Sequence, residues 1–518
     1  MSLPRTVLLA ALIVAAAYGS TLAWRAAQRP ESRLETVACW FAKPASRAVE
    51  CYRLTVPESR GTASNRSVEL PVVILRSPST PVGEPPVLHL GGGPGQPAGI
   101  EDTAQVAGWS QRLDSEPWAR DRDHILVDTR GNGGRAGTRL RCDRLSDLDW
   151  MMSVDALADE DLKAAAIRKA VGDCHAGFAR QGVDLTAYDS AAAASDLIDL
   201  RKALNLKSWT VYGLSYGSRL ALELMRRDAA GTHAAILDSI YPPSEENLVD
   251  LLPNLQHALN LLYADCAAQQ ACAGAYPELS KDVEAAVTRL RAQPRTLVLA
   301  EPGGRRPATV KLDDALYLQL VEYAMFSGEW LPFVPGIVND AAKGGTALLG
   351  HLAQRLVFDG SLATDSNAVL LSTFCREELP FNSETAFEKA SRANPLLRAI
   401  SPATAMRVQC GAWPAGKAPP AFRTAVTSDV PTLLINGAYD TRTPPAFAER
   451  AAAHLTYAYR IVLRNRGHAP SPASPCAKAA IDAFLDAPIN PAPPACLQEQ
   501  KPPRFMTRGG PAEHVEQL

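Results

Sequence analysis

Gly213-Leu214-Ser215-Tyr216-Gly217 stands between a short apolar, β-branched run, WTVY from Trp209, and a helical run from Ser218 to Arg226. Glycines on both sides let the chain reverse sharply from strand to helix. The serine backbone is then strained, its hydroxyl projects from the sheet edge, and the helix N-terminus points at the site. A serine hydroxyl is a weak nucleophile near neutral pH, so it needs a base and a group that orients the base. For a serine on such a turn the expected chain order is Ser, acid, His. Asp440 lies just past the apolar run TLLING, within Gly437-Ala438-Tyr439-Asp440-Thr441-Arg442-Thr443-Pro444. His468 follows YRIVLRNR, within Gly467-His468-Ala469-Pro470, and the 28 positions from 440 to 468 leave room for one helix and one strand. Ser215, Asp440 and His468 are therefore the expected catalytic residues. Asp238, after the run AAILDSI, is the reserve candidate for the acid. His454 falls within a helical stretch, and His257 and His351 fall in a long insertion, so they fit the base role less well.

Acyl transfer also places negative charge on a carbonyl oxygen, which needs fixed donors. Gly91-Gly92-Gly93-Pro94-Gly95 follows the run VLHL, and a backbone without side chains can approach a substrate closely. The N–H groups of Tyr216 and Gly93, with Gly92 beside them, are the expected oxyanion donors. A nucleotide loop is a poorer reading, since G-x-x-x-x-G-K is absent and no helix follows directly. Asp128-Thr129-Arg130-Gly131-Asn132-Gly133, past the next apolar run, is expected to shape the neighbouring wall rather than to react.

The elements that must position these residues alternate. Val49 to Val56 and Ser67 to Leu75 alternate apolar and polar across a turn-rich stretch, as in an antiparallel hairpin. Compact apolar runs follow at Pro86, His124, Trp209 and Ala234, each ending in glycine or a turn, with helical stretches such as Ser190 to Leu204 between them. This is the pattern of buried parallel strands in an α/β layered fold. From 242 to 428 the pattern turns mostly helical, with segments at Leu248 to Ala267, Asp282 to Ala292 and Asp313 to Phe326. Strands return at Pro431 and Tyr459. The elbow, the alternation and the insertion together predict an α/β-hydrolase fold: a mostly parallel central sheet, with a helical cap inserted between the sixth and seventh core strands. The expected divisions are an N-terminal segment 1–27, core 36–241, cap 242–428, core 429–496 and a flexible tail 497–518. A cap there sits over the strand ends, where open α/β sheets bind ligands.

Arg5, an apolar and small-residue run from Thr6 to Trp24, then Arg25 and Arg29 read as an export signal, placing the protein in the periplasm or outside the cell. The same run is long enough for an uncleaved membrane anchor. All ten cysteines lie beyond it, with no C-x-x-C and no H-E-x-x-H, so zinc and thioredoxin-type chemistry have little support. Disulfides suit an exported chain. Nearest-neighbour pairing gives 39–51, 142–174, 266–272, 375–410 and 476–496, each contributing about 2–4 kcal/mol. With 53 Lys and Arg against 55 Asp and Glu, no broad positive field exists to attract nucleic acid. No metal or organic cofactor is expected, and the chain is expected to act as a monomer.

LGGGPGQP, DTRGNGG, GLSYGSRLA, GAYDTRTP and RGHA, in that order, resemble the exported tripeptidyl aminopeptidase and prolyl aminopeptidase family of α/β-hydrolases over most of residues 40–500. The resemblance implies release of short units or single prolines from peptide N-termini beneath a helical cap, with the triad on Ser215, Asp440 and His468. Leu90-Gly91 stands where prolyl aminopeptidases often have His-Gly, and DTRGNGG lacks their usual terminal serine, which weakens strict proline specificity. Cys375-Arg376-Glu377-Glu378 resembles the family's Cys-x-Glu-Asp segment, making Glu377 and Glu378 candidate anchors for a substrate amine; the competing reading is a solvated acidic pair on the cap. The expected function is a serine exopeptidase acting on peptides through an acyl-enzyme. An esterase or lipase on the same triad is the alternative, and a non-catalytic binding protein on a hydrolase scaffold comes third.

Overall fold

The computed structural model describes residues 31–60, 65–79, 84–147, 150–151, 154, 159–299, 307–358, 366–400 and 402–507. The expected N-terminal segment, 1–27, lies outside them. In chain order the strands are β1 (Arg33–Thr36), β2 (Ala48–Pro57), β3 (Ser67–Arg76), β4 (Val87–Leu90), β5 (His124–Val127), β6 (Trp209–Leu214), β7 (Thr232–Asp238), β8 (Arg295–Leu299), β9 (Ala308–Leu312), β10 (Thr432–Gly437) and β11 (Ala458–Leu463). One nine-stranded sheet runs in the order β1-β2-β3-β5-β4-β6-β7-β10-β11. Its first three pairings are antiparallel and the rest parallel. With the short extra edge strand β1 set aside, the insertion enters between the sixth and seventh core strands, as expected.

The parallel strands read as unbroken apolar runs because both faces of the sheet are covered. Leu434 packs into one core while Leu433 and Ile435, pointing the other way, pack into a second. The helix Ser190–Ala203 starts on the Asp189 carboxylate, which accepts from the Ala192 N–H. It lies against the helix Tyr216–Arg227, which follows β6.

The insertion departs from expectation in two places. It contains an antiparallel hairpin, β8 with β9, whose Leu297, Leu299 and Leu312 are buried in the cap core, so the cap is not wholly helical. Its last part is not cap at all. Ala368, Val369, Leu371, Cys375, Trp413, Ala415 and Val426 pack with the sheet's own core, and the Trp413 indole N–H donates to Ser372 Oγ at 3.1 Å. Helices from Asn247–Ala267 to Ala347–Phe358, joined by Phe387, Leu397 and Ile400, form a separate apolar core. The cap therefore rejoins the main domain well before residue 429.

The tail is also corrected over its described part. Leu497 packs against the sheet's core, and residues 503–506 lie along the cap: Phe505 is buried among cap side chains, Met506 N–H donates to Pro332 O at 2.9 Å, and Tyr276 Oη donates to Met506 O at 3.1 Å. A single aromatic ring finds an apolar slot there, which composition alone does not reveal.

Five disulfides join Cys39–Cys51, Cys142–Cys174, Cys266–Cys272, Cys375–Cys410 and Cys476–Cys496, and no free cysteine is left. Among the described residues no helix is long and apolar enough to cross a membrane.

Candidate active site

Ser215 lies between β6 and the helix Tyr216–Arg227 with φ 56° and ψ −119°. A non-glycine residue held there carries on the order of 1–3 kcal/mol of strain, which the surrounding contacts must offset. The flanking glycines are required by space. A Cβ on Gly213 would meet Gly217 O at 2.5 Å, and one on Gly217 would meet Leu90 O at 2.1 Å. The second contact shows how tightly the elbow sits against the end of β4, from which the glycine loop departs.

That loop lies beside the serine: a Cβ built on Gly92 would be 3.4 Å from Ser215 Cβ. The amides of Gly92, Gly93 and Tyr216 donate no hydrogen bond among the described residues, so three donors are left uncommitted around the serine. Behind the loop, Ala98 N–H donates to Asp128 Oδ1 at 2.6 Å, and burial pushes the Asp128 carboxyl up to about 7. Arg130 is buried on both oxygens of Asp196, at 2.7 and 2.6 Å, and serves structure, as expected of this wall.

Asp440 and His468 follow β10 and β11, strands paired in parallel, so both residues arrive at the same sheet edge. His468 Nδ1 lies 2.7 Å from Asp440 Oδ2. A carboxylate only accepts, so Nδ1 carries the proton and Nε2 is left free to accept one. Asp440 is fixed by its own loop: Arg442 N–H at 3.1 Å and Thr443 N–H at 2.9 Å donate to Oδ1, and Thr443 Oγ1 donates to Oδ2 at 2.7 Å. Burial pushes this carboxyl up, but the charge of His468 and these hydrogen bonds outweigh it, holding Asp440 below the ordinary aspartate range.

Ser215 N–H donates to Asp238 O at 2.8 Å, and Ala469 N–H donates to the Oγ of the next residue, Ser239, at 2.8 Å. The strand end at 238–239 thus bridges the Ser215 turn to the residue after His468. The Ser215 hydroxyl forms no hydrogen bond to His468 among the described residues. Such bonds often tighten only when substrate is present.

Asp238, the reserve acid, is buried and takes other partners. Its Oδ2 accepts from Tyr212 Oη and from Ser471 N–H, both at 3.1 Å, its Oδ1 finds no partner, and burial pushes it up to about 6. No hydrogen bond links it to His468.

Glu377 and Glu378 are 1% and 0% exposed, which overturns the solvated-pair reading. Ser190 donates its N–H to Glu377 Oε1 at 2.6 Å and its hydroxyl to Oε2 at 2.7 Å, and Ser190 Oγ also meets Tyr216 Oη at 2.9 Å. Glu378 pairs with Arg219, on the elbow helix, and with Arg423 at 3.4 Å. The pair thus belongs to a buried network one helical turn beyond Ser215. Burial pushes Glu377 up to about 8.

Sequence reasoning missed Thr443, Arg219 and two cap residues, Glu322 and Phe326, which hold the acid and base loops. Thr443 was legible as the third residue after an Asp in a turn, the spacing at which Asp side chains bind their own backbone. A cavity of about 580 Å³ lined by Arg141, Arg144, Trp150, Lys169 and Phe178, among others, lies elsewhere and contains none of the expected site residues.

No curated protein sequence matches the chain. Among solved structures it is similar to an α/β hydrolase from Novosphingobium aromaticivorans (13% identity, 88% of this chain and 98% of that one, TM-score 0.36). It is also similar to the proline iminopeptidase of Mycobacterium smegmatis (14%, 84% and 98%, 0.34). A third is a thermophilic esterase from Thermogutta terrifontis (14%, 85% and 99%, 0.34). Residues 398–496, which carry Asp440 and His468, match the family described as TAP-like protein, Abhydrolase_4. The strand order, the insertion point and the serine elbow are those of the α/β-hydrolase fold, and over residues 398–496 the chain is similar to TAP-like proteins.

Proposed function

We propose that this protein is an exported serine exopeptidase that releases N-terminal residues or tripeptides from peptides through an acyl-enzyme. The observation that carries the reading is a strained Ser215 at a strand end that Asp238 and Ser239 tie to the residue after His468, which is itself hydrogen-bonded to Asp440. Ser215 Oγ attacks the scissile carbonyl carbon while His468 Nε2 takes the hydroxyl proton. Asp440 holds the imidazole and balances the imidazolium, and the amides of Gly92, Gly93 and Tyr216 receive the oxyanion. Collapse breaks the C–N bond, His468 returns its proton to the leaving amine, and water releases the acyl group by the same steps. The TAP-like match supports a peptide as substrate, and the five disulfides support an oxidising compartment.

For a substrate's free amine, Glu378 is already neutralised by two guanidinium groups, whereas Glu377 has its nearest cation, Arg219, 3.7 Å away and, once the amine takes the proton that burial keeps on it, is the better of the two candidates. If Glu377→Gln and Glu378→Gln both keep the wild-type preference for free over N-acylated peptides, neither anchors the amine.

A fluorophosphonate probe on the intact protein should label Ser215, and Ser215→Ala should not label. A wild-type protein that stays unlabelled would falsify the serine-hydrolase reading and leave the non-catalytic scaffold. Labelling accompanied by turnover of nitrophenyl esters, with none of free-amine tripeptide amides, would make it an esterase.

A further inference from the structure

The cap helix Asp314–Ser327 ends against the expected base, and its last turns make more contacts there than a roof requires. His468 N–H donates to Phe326 O at 2.6 Å. The Phe326 ring stacks on the imidazole with centroids 4.3 Å apart and planes 20° from parallel. The approach is so close that a Cβ on Gly467 would lie 2.3 Å from both Met325 O and Phe326 O. The helix then stops at Gly328 with φ 73°, a left-handed cap that suits glycine.

One turn earlier on the same helix, the buried Glu322 reaches the acid loop. It accepts from Thr441 Oγ1 at 2.6 Å and from Arg442 through both carboxylate oxygens at 3.1 Å. Arg442 in turn gives its backbone N–H to Asp440 and sets its guanidinium 4.1 Å from the centre of the Phe326 ring. A closed circuit results, running Glu322, Arg442, Asp440, His468, Phe326 and back along one helix. Imidazole needs such a seat, since the Asp440 bond fixes one edge of the ring but leaves it free to turn about that bond. A stacked face removes that freedom.

We infer that Phe326 and Glu322 are positioning residues of the Asp440–His468 pair, so that the inserted domain supplies part of the catalytic geometry as well as a cover. Phe326 sets the plane of the imidazole, and Glu322 locks the loop that carries its carboxylate partner. The inference rests on the serine-hydrolase reading above.

The test uses the full-length protein. Phe326→Leu keeps an apolar side chain but removes the stacking face, and Phe326→Tyr restores the face. With a nitrophenyl ester and with a free-amine peptide, Phe326→Leu should lower kcat by about 10- to 100-fold, since small misplacements of a reacting group are that costly. KM should change less than about two-fold, because ground-state binding is untouched. Phe326→Tyr should recover most of the lost rate. Glu322→Gln should lower kcat in the same way, and its labelling by the fluorophosphonate should slow in parallel, which covers the case in which Phe326→Leu does not fold. Wild-type labelling at Ser215 combined with unchanged kcat in folded Phe326→Leu or Glu322→Gln would overturn this inference alone. A loss confined to KM would also overturn it, by making Phe326 a substrate contact. An unlabelled wild type would overturn the parent reading and this one with it.

Discussion

Replacing Glu377 by Gln tests the electrostatics of the network beneath the elbow. Burial, with repulsion from Asp189 behind it, outweighs the attraction of Arg219 and the two hydrogen bonds from Ser190, and pushes the carboxyl from 4.5 to about 8. An acid whose folded-state value is raised binds its proton more tightly in the native protein than in the unfolded chain. Its contribution to stability is therefore complete below pH 4.5 and is lost as the pH climbs toward 8. At about 1.4 kcal/mol per pH unit, the separation between 4.5 and about 8 amounts to on the order of 5 kcal/mol. Glutamine is a near copy of the protonated side chain: its carbonyl accepts the Ser190 N–H, and its NH2 faces Ser190 Oγ, whose own proton is free to turn to Tyr216 Oη. The variant should match the wild type near pH 5 and exceed it by several kcal/mol near pH 9. Urea unfolding of both proteins at pH 5, 7 and 9 measures this. Every cysteine is paired, so no resident thiolate is present to reshuffle disulfides at the alkaline end. Parallel stability curves across that range would refute the argument and make Glu377 an ionised partner of Arg219 throughout.

Other expectations concern single side chains. Asp440→Asn should lower kcat about 10³- to 10⁴-fold, since the imidazole loses the acceptor that fixes its tautomer, while Asp238→Asn should stay within about ten-fold; the reverse ranking in steady-state kinetics would move the acid to 238. Gly217→Ala must displace the end of β4, because the new methyl lies 2.1 Å from Leu90 O; soluble expression with a melting temperature equal to that of the wild type would contradict the tightness of that contact. Phe505→Ala should destabilise the protein by about 3–5 kcal/mol in thermal or urea unfolding, and no effect would return residues 497–507 to the status of a flexible tail.

The legibility of these features follows from how local their causes are. The elbow, the acid and the base each sit at the end of an apolar run, so a short window contained both the residue and the strand presenting it. Cysteine pairing was equally local, since each bond joins nearest neighbours along the chain. Glu377 and Glu378 were harder, because adjacent charges ordinarily mark a solvated surface and their burial depends on a distant cation. A signal did exist at that cation. Arg219 lies on a helix whose residues from Tyr216 to Met225 are all buried, and an arginine enclosed there demands a carboxylate. The β8–β9 hairpin was legible as well, with two alternating runs on either side of Gly303-Gly304 within a stretch dominated by helical signals. Nothing near residue 322 or 326 pointed to Asp440 or His468, since only the folded cap brings them together.

Those contacts bear on how a substrate reaches the serine. A cap regarded as one hinged lid would need a weak, polar seam along which to part, as most interfaces within a chain have. This insertion instead grips the loops after β10 and β11. Asp265 accepts from Tyr439 Oη at 2.7 Å and pairs with Arg464 at 2.9 Å, while Glu322 holds Thr441 and Arg442. Glu377 and Glu378, which hold Ser190 and Arg219, lie in the part of the insertion that packs with the sheet's own core and would stay behind if the cap moved. Asp265 and Glu322 are buried, so parting the cap would strip two enclosed carboxylates of their partners. On the function proposed above, it would also release Asp440 and His468 from their supports at the moment the substrate arrives. That reading therefore requires a substrate to enter with the Asp265 and Glu322 contacts intact.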